Sequence, residues 1–546
     1  MKRNVFAVAL FAALTAILPA AKTASAAVYQ YGFVLPRDKT SPLIWNSTRV
    51  FLWIPPTAKR IASVLLAPAN VIERRVCDSP IIRAEAARDH MAIVFFDPGW
   101  KQRMLSSPGL IPFLQSILNR LAVISGYSEI KTVPWIPIGH SGNSFFVTDI
   151  LRHAPRRVLA AIFIKGGLIT PDGASTRGVG GVPIMFVTGQ FEEVMPPGKV
   201  RDAWWGVQMA RFYRDKKAVP HALIDGMLDR GFGHLNWFPA MLRYAAMFLH
   251  KAIESRLNKS GNLRPVSYNR GWLCDPSGKH VSVPVTAYTG NADRAFWVFD
   301  KQQATAWHTL FFRDAGKEQR MLAFTLHGKI APWWPGWGLQ QLPWQPLGDG
   351  VSFRVHAIFR KVVPGPFANA GMPLGPADHQ AIKYCVLGWA GQARQVGPNE
   401  FRMRFDREGE NGRTLHLLIG AYVKGTRRYM PAIAVASIFA PAANSGSPQI
   451  IHFPQIADVS AKVKSISLNA TVNSPLKVHY YVDWGPAKIV GQRLIFTPIP
   501  AGTRWPVAVE ITAYQWGKSI PPAYATAARV TRSFYIQPIT HGGAKK

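Results

Sequence analysis

Between residues 28 and 257, short apolar runs of strand character alternate with amphipathic segments, and this alternation constrains the fold more than any other feature of the chain. Strand-like runs fall at 29–35, 50–54, 62–67, 92–96, 133–139, 160–164, 183–188 and 221–224. Between and after them, 83–90, 110–124, 144–153, 201–216 and 237–256 suit helices, with apolar residues at spacings of three and four. Strands that alternate with helices predict a mostly parallel sheet covered by helices on both faces.

After Lys259 the pattern changes. Residues 258–262 form a polar linker. Beyond it lie β-like runs at 281–287, 321–326, 351–359, 416–422, 450–453 and 465–470, punctuated by Gly and Pro, with one short helix expected at 301–308. This predicts all-β sandwich domains. A second boundary falls near 442–447. The expected organisation is a signal peptide at 1–26, an α/β domain at 28–259, a β-rich middle domain at 263–442, a sandwich at 448–537 and a tail at 538–546.

The signal assignment rests on Met1-Lys2-Arg3, the apolar run 5–18 and the small residues Ala24-Ser25-Ala26. It predicts a periplasmic or secreted protein with no transmembrane span once the signal is removed. Three cysteines, Cys77, Cys274 and Cys385, allow at most one intramolecular disulfide. Cys274 with Cys385 is the expected pair, because both fall in the later region. Neither C-x-x-C nor H-E-x-x-H occurs, so no metal and no cofactor are expected.

Charge is the unusual bulk property. Lys and Arg total 64 against 30 acidic residues, a formal net charge of +34. Such a surface attracts polyanions. The basic residues are scattered and match no nucleic-acid motif, so a nucleic-acid partner is not expected. Two readings remain open: adaptation of the whole surface to its medium, such as an acidic one, and an anionic partner such as a polysaccharide or other anionic polymer.

Three stretches carry the chemistry. In the first, the apolar run Trp135-Ile136-Pro137-Ile138 leads into Gly139-His140-Ser141-Gly142-Asn143, and a helix starts at once. This is nearly the G-x-S-x-G nucleophile elbow, in which a strained strand-to-helix turn exposes the Ser hydroxyl at a helix N-terminus. Asn143 stands where the motif has its second Gly. The second stretch is a strand ending at Gly189, followed by Gln190-Phe191-Glu192-Glu193. The third, Asp229-Arg230-Gly231-Phe232-Gly233-His234-Leu235-Asn236-Trp237, sets a His in a Gly-flanked loop before the last helix.

Together these stretches resemble the α/β-hydrolase superfamily over residues 28–257, with most likeness to esterase-like and dienelactone-hydrolase-like members. The resemblance implies Ser141 as nucleophile, Glu192 as triad acid with Glu193 as the alternative, and His234 as general base. It implies the Gly142 amide as one oxyanion donor and Ala69 or Asn70, after the strand at 62–67, as the second. His140, Asn143, Trp100 and Lys165 stand at the expected edge of the site and are candidate pocket residues. Strand-like segments 478–482 and 507–514 resemble bacterial Ig-like modules, which act as binding or spacer domains. Pro332-Trp333-Trp334-Pro335-Gly336-Trp337 and Trp344 offer either a sugar platform or packing at a domain junction.

The function expected from this reading is an exported carboxylic-ester hydrolase acting on acylated carbohydrate, polyester or small esters. A peptidase or amidase with the same triad is the nearest rival. The other is a hydrolase-fold protein that has lost activity and binds polysaccharide or a cell surface.

Overall fold

Eight strands form one sheet: β1 (Tyr31–Leu35), β2 (Thr48–Trp53), β3 (Ser63–Pro68), β4 (Met91–Asp97), β5 (Trp135–His140), β6 (Ala161–Ile164), β7 (Ile184–Phe191) and β8 (Ile224–Gly233). Their order is β1-β2-β4-β3-β5-β6-β7-β8. The first two join antiparallel, and β4 through β8 are parallel. The sheet is thus mostly parallel, as the alternation of strands and helices predicts. The structure is a computed structural model and describes residues 29–36, 47–98, 109–167, 179–192, 204–236, 238–333, 339–365, 367–375, 380–387, 392–404 and 414–539. The expected signal peptide, Trp100, Glu193, Trp237, Trp334, Trp337 and the tail from 540 lie outside the described residues.

The helices are α1 (Glu73–Cys77), α2 (Pro80–Arg88), α3 (Leu110–Ser125), α4 (Ser144–His153), α5 (Trp204–Ala218) and α6 (Pro239–Arg256). Right-handed crossovers distribute them. The chain steps from β3 to β4 in one direction and from β4 onward in the other, so α2 lies on one face and α3, α4 and α5 on the opposite one. Accordingly α2 packs on α6, and α3 packs on α4. Local chemistry fixes the ends. Ser79 Oγ accepts from the Ile81 amide, with Pro80 in the first turn of α2. Gly126 ends α3 at φ 88°.

One predicted element moves. The strand expected at 221–224 begins at Ile224 and runs to Gly233, so Asp229–Gly233 belong to β8 rather than to a loop. Its glycines made this segment look irregular. Gly226 is required for packing: a Cβ there would lie 2.3 Å from the Phe296 ring.

Phe296 belongs to residues 268–312, which the sequence groups with the middle domain. The structure packs this segment on the first domain instead. Phe296 meets Phe186 and Phe212 at 5.6 and 4.6 Å between ring centroids. From helix α7 (Lys301–Phe311), Trp307 Nε1 donates to the Gly226 carbonyl at 2.7 Å and Gln303 Nε2 to Asp225 at 2.9 Å. The segment therefore covers the β8 side of the sheet.

Two β-sandwich regions follow. In the middle one, Gln340–Leu342, Ala432–Pro441, Thr414–Val423 and Lys383–Leu387 form a four-stranded sheet that shares a core with smaller antiparallel sheets. In the last, Val459–Ser460, Val530–Gln537, Val507–Tyr514 and His479–Trp484 form one sheet, and Ser465–Ser467, Arg493–Phe496 and Ala487–Val490 another. Both regions dock on the first domain. Asp483 pairs with Arg49 at 3.2 Å, and the Arg504 amide donates to Ser125 O at 2.9 Å. Pro431 covers Gly231, and Phe367 meets Phe191 at 6.0 Å. The expected disulfide is not formed: all three cysteines are free thiols. Cys274 is buried beside β8, whereas Cys385 lies in the middle sheet opposite Gly420. No helix among the described residues is long and apolar enough to cross a membrane.

Candidate active site

Strand β5 is extended through His140, and at Ser141 the backbone swings to φ 55°. That left-handed conformation costs a non-Gly residue about 1–3 kcal/mol. A short 3-10 turn, Ser141–Asn143, then runs straight into α4. Two glycines make room. A Cβ on Gly139 would sit 2.2 Å from Asn143 O, and one on Gly166 would sit 1.8 Å from Ser144 Oγ. The half-buried Ser141 thus stands at the start of a helix, where first-turn amides lack helical carbonyl partners and the dipole favours negative charge.

Asn143, which stands where the motif has its second Gly and was a candidate pocket residue, is nearly fully buried. Its Nδ2 donates to Pro68 O at 3.0 Å and to Glu73 Oε1 at 2.8 Å. Glu73 Oε1 also accepts from the His140 amide at 2.6 Å. This wholly buried carboxyl braces the elbow against the loop after β3. Burial pushes it up to about 8, against the pull of the His140 amide, the Asn143 side chain and the Asn70 amide.

Of the two expected second oxyanion donors, the Ala69 amide is engaged by a protein acceptor, donating to Phe96 O at 2.7 Å. The Asn70 side chain is tied to the elbow, its Nδ2 donating to His140 O at 3.1 Å. Gly142 lies within the turn that follows Ser141.

At the ends of β7 and β8 the structure brings Glu192 and His234 together. His234 Nδ1 donates to Glu192 Oε2, and Glu192 Oε1 accepts from the Gly189 amide at 2.7 Å. Both residues are buried. A proton on Nδ1 leaves Nε2 as the basic nitrogen. Among the described residues, no hydrogen bond joins the Ser141 hydroxyl to the His234 ring. The connection runs through the neighbouring residue: the His140 ring lies 4.7 Å from that of His234, and His140 Nε2 donates to His234 O at 2.9 Å. His140 is fully buried, so it supports the loop rather than lining a pocket. Burial, followed by the neighbouring His234, holds its imidazole well below the usual range and keeps it neutral.

Lys165 is also not a substrate-facing residue. It follows β6 at φ 48° and is fully buried. Its ammonium donates to Asp229 Oδ2 at 3.1 Å, to Asn236 O at 2.5 Å and to Gly233 O. Three donors meet three acceptors, and two of these are carbonyls flanking His234. Gln190 Oε1 adds a bond from the Gly231 amide at 2.9 Å. Glu73 and this lysine network were not singled out from the sequence. Their partners lie 64 to 71 positions away, so no local motif marks them.

One group of possible metal ligands occurs among the described residues, away from this site. Glu85, Asp89 and His250 on α2 and α6 offer atoms within 4.8 Å of one another. They are already bonded together, with His250 Nδ1 at 3.0 Å from Asp89.

Comparison with protein-family profiles finds no match, and comparison with curated proteins finds none. Among solved structures, the chain is similar to a poly(3-hydroxybutyrate) depolymerase from Bordetella parapertussis, at 11% identity over 43% of this chain and 90% of that one, with TM-score 0.29. It is similar to a siderophore hydrolase from Aspergillus nidulans at 13% identity, over 43% and 96%, with TM-score 0.29. It is also similar to the Bacillus cereus carboxylesterase at 13% identity, over 38% and 94%, with TM-score 0.26.

Proposed function

We propose that this protein is a serine hydrolase that cleaves carboxylic esters through an acyl-enzyme on Ser141. The observation that carries the reading is the Glu192–His234 hydrogen bond at the ends of β7 and β8, beside a serine held at φ 55° after β5. Glu192 fixes the imidazole with its proton on Nδ1, so Nε2 takes the proton of the Ser141 hydroxyl. The serine oxygen bonds to the ester carbonyl carbon, and the Gly142 amide stabilises the developing oxyanion. His234 then gives the proton to the departing alcohol. Water, deprotonated by the same nitrogen, releases the acid and restores the serine.

The reading extends to export, on the basis of residues 1–26, and to acylated carbohydrate, polyester or small esters as substrates. The test is labelling of the full chain with a fluorophosphonate, followed by peptide mapping. We expect one adduct on Ser141, lost in Ser141→Ala. A folded protein that takes no label, or takes it elsewhere, would overturn the reading.

A further inference from the structure

The middle and C-terminal sandwiches enclose between them a groove of about 480 Å³. The middle region contributes Arg394, Arg402 and Arg404, and the last region contributes Lys477 and His479. Asp349 is the one acidic residue of the described lining.

This crowding has a specific register. Arg394 and Arg402 face each other across the antiparallel strands Ala393–Gln395 and Glu400–Met403. Like charges at facing positions repel. On the same strand, Glu400 faces Arg354 and pairs with it at 2.9 Å. The sheet thus neutralises one of its arginine rows, and among the described residues the acidic partner of the other is Asp349, 3.5 Å from Arg402. Arg394 and Lys477 are exposed. His479 stands in the field of Arg402, Lys477 and Arg394, which add to the effect of burial in holding its imidazole below the usual range. Positive charge therefore converges here from two domains, and an incoming anion would relieve it.

We propose that this groove binds an acidic polysaccharide, a chain of sugars bearing carboxylate or sulfate groups. Guanidinium groups meet such oxyanions through paired N–H donors, and a row of them suits repeated charges along a polymer. Single-stranded nucleic acid fits less well, because it needs exposed aromatic faces for its bases. The groove's Tyr514 and Trp516 are only 7% and 6% exposed. None of the groove residues takes part in the hydrolase chemistry, so the two readings stand or fall separately.

The test is binding of the full chain to polygalacturonate, dextran sulfate, neutral dextran and oligodeoxythymidylate at about 0.15 M salt, where long-range attraction between exposed charges is screened. Arg394→Gln/Lys477→Gln removes two groove charges. Lys59→Gln/Lys217→Gln removes two exposed charges from the first domain and controls for the net charge. We expect at least one acidic polysaccharide to bind, with the groove variant weaker by about tenfold or more and the control by less than about twofold. Polygalacturonate and dextran sulfate separate carboxylate from sulfate recognition. Arg394→Lys, which keeps the charge, should lose less than Arg394→Gln. Equal losses in the two double variants would overturn the proposal. So would binding of neutral dextran as tightly, tighter binding of the oligonucleotide, or no binding of either acidic polymer.

Discussion

Lys165 and Asp229 meet at 3.1 Å in the interior of the first domain, the lysine fully buried and the aspartate nearly so. Burial raises the Asp229 carboxyl, and the Lys165 ammonium pulls it back. Lys165→Met would keep the apolar stem but strand that carboxyl and release two carbonyls beside His234. We expect a loss of about 3–5 kcal/mol in chemical unfolding, the range for breaking one side of a buried pair. Lys165→Met/Asp229→Asn should recover part of it. A double variant no more stable than the single would show that the pair is not the source of the loss.

Glu192 accepts from His234 Nδ1 and from the Gly189 amide, which together hold the carboxylate against the imidazole. Glu192→Gln should therefore lower kcat by about 10⁴-fold, as expected when the triad histidine loses its anionic partner. The same change at Glu193 should have little effect. Steady-state kinetics on a small soluble ester provides the comparison. The opposite ranking would move the triad acid by one residue.

The elbow was legible because its physics is local: an apolar strand, Gly139, a serine and an immediate helix lie within one stretch. What braces it was not legible. Glu73 reads as an ordinary acid on a short helix, and only the folded chain sets it under His140 and Asn143. Asn143 looked like a defect in the motif but serves as the donor that ties the elbow to Pro68. Lys165 looked solvent-facing because it ends a strand at the active-site edge, yet the chain closes over it. The glycines of β8 looked like loop residues because their packing partners, Phe296 and Pro431, come from segments far along the chain.

The boundary drawn at Lys259 has a physical consequence. It separates β8 from Phe296 and Trp307, which cover it. Phe296→Ala should cost about 3–5 kcal/mol, as for a large aromatic removed from a packed core. A chain ending at residue 259 should be insoluble or labile, and one ending near 315 should be more soluble. Thermal unfolding and soluble yield measure the two effects. A stable, soluble chain ending at 259 would show that residues 268–312 are dispensable.

Acidity should favour this fold, and two buried carboxyls give the sign. Burial lifts Glu73 from 4.5 to about 8 and Asp225 from 3.8 to about 7. Between the ordinary and raised values the folded chain holds protons that the unfolded chain has released, so stability falls as pH rises through that window. The contribution is complete at the acid end and gone once pH passes about 8 for Glu73 and about 7 for Asp225. Below the window the trend reverses. Surface carboxylates take up protons, and a chain already carrying +34 repels itself further. The melting temperature should therefore peak in weakly acidic buffer and fall toward pH 8. Glu73→Gln/Asp225→Asn should flatten that fall, since neither amide titrates. If the double variant kept the full slope, the acid preference would have to come from other groups.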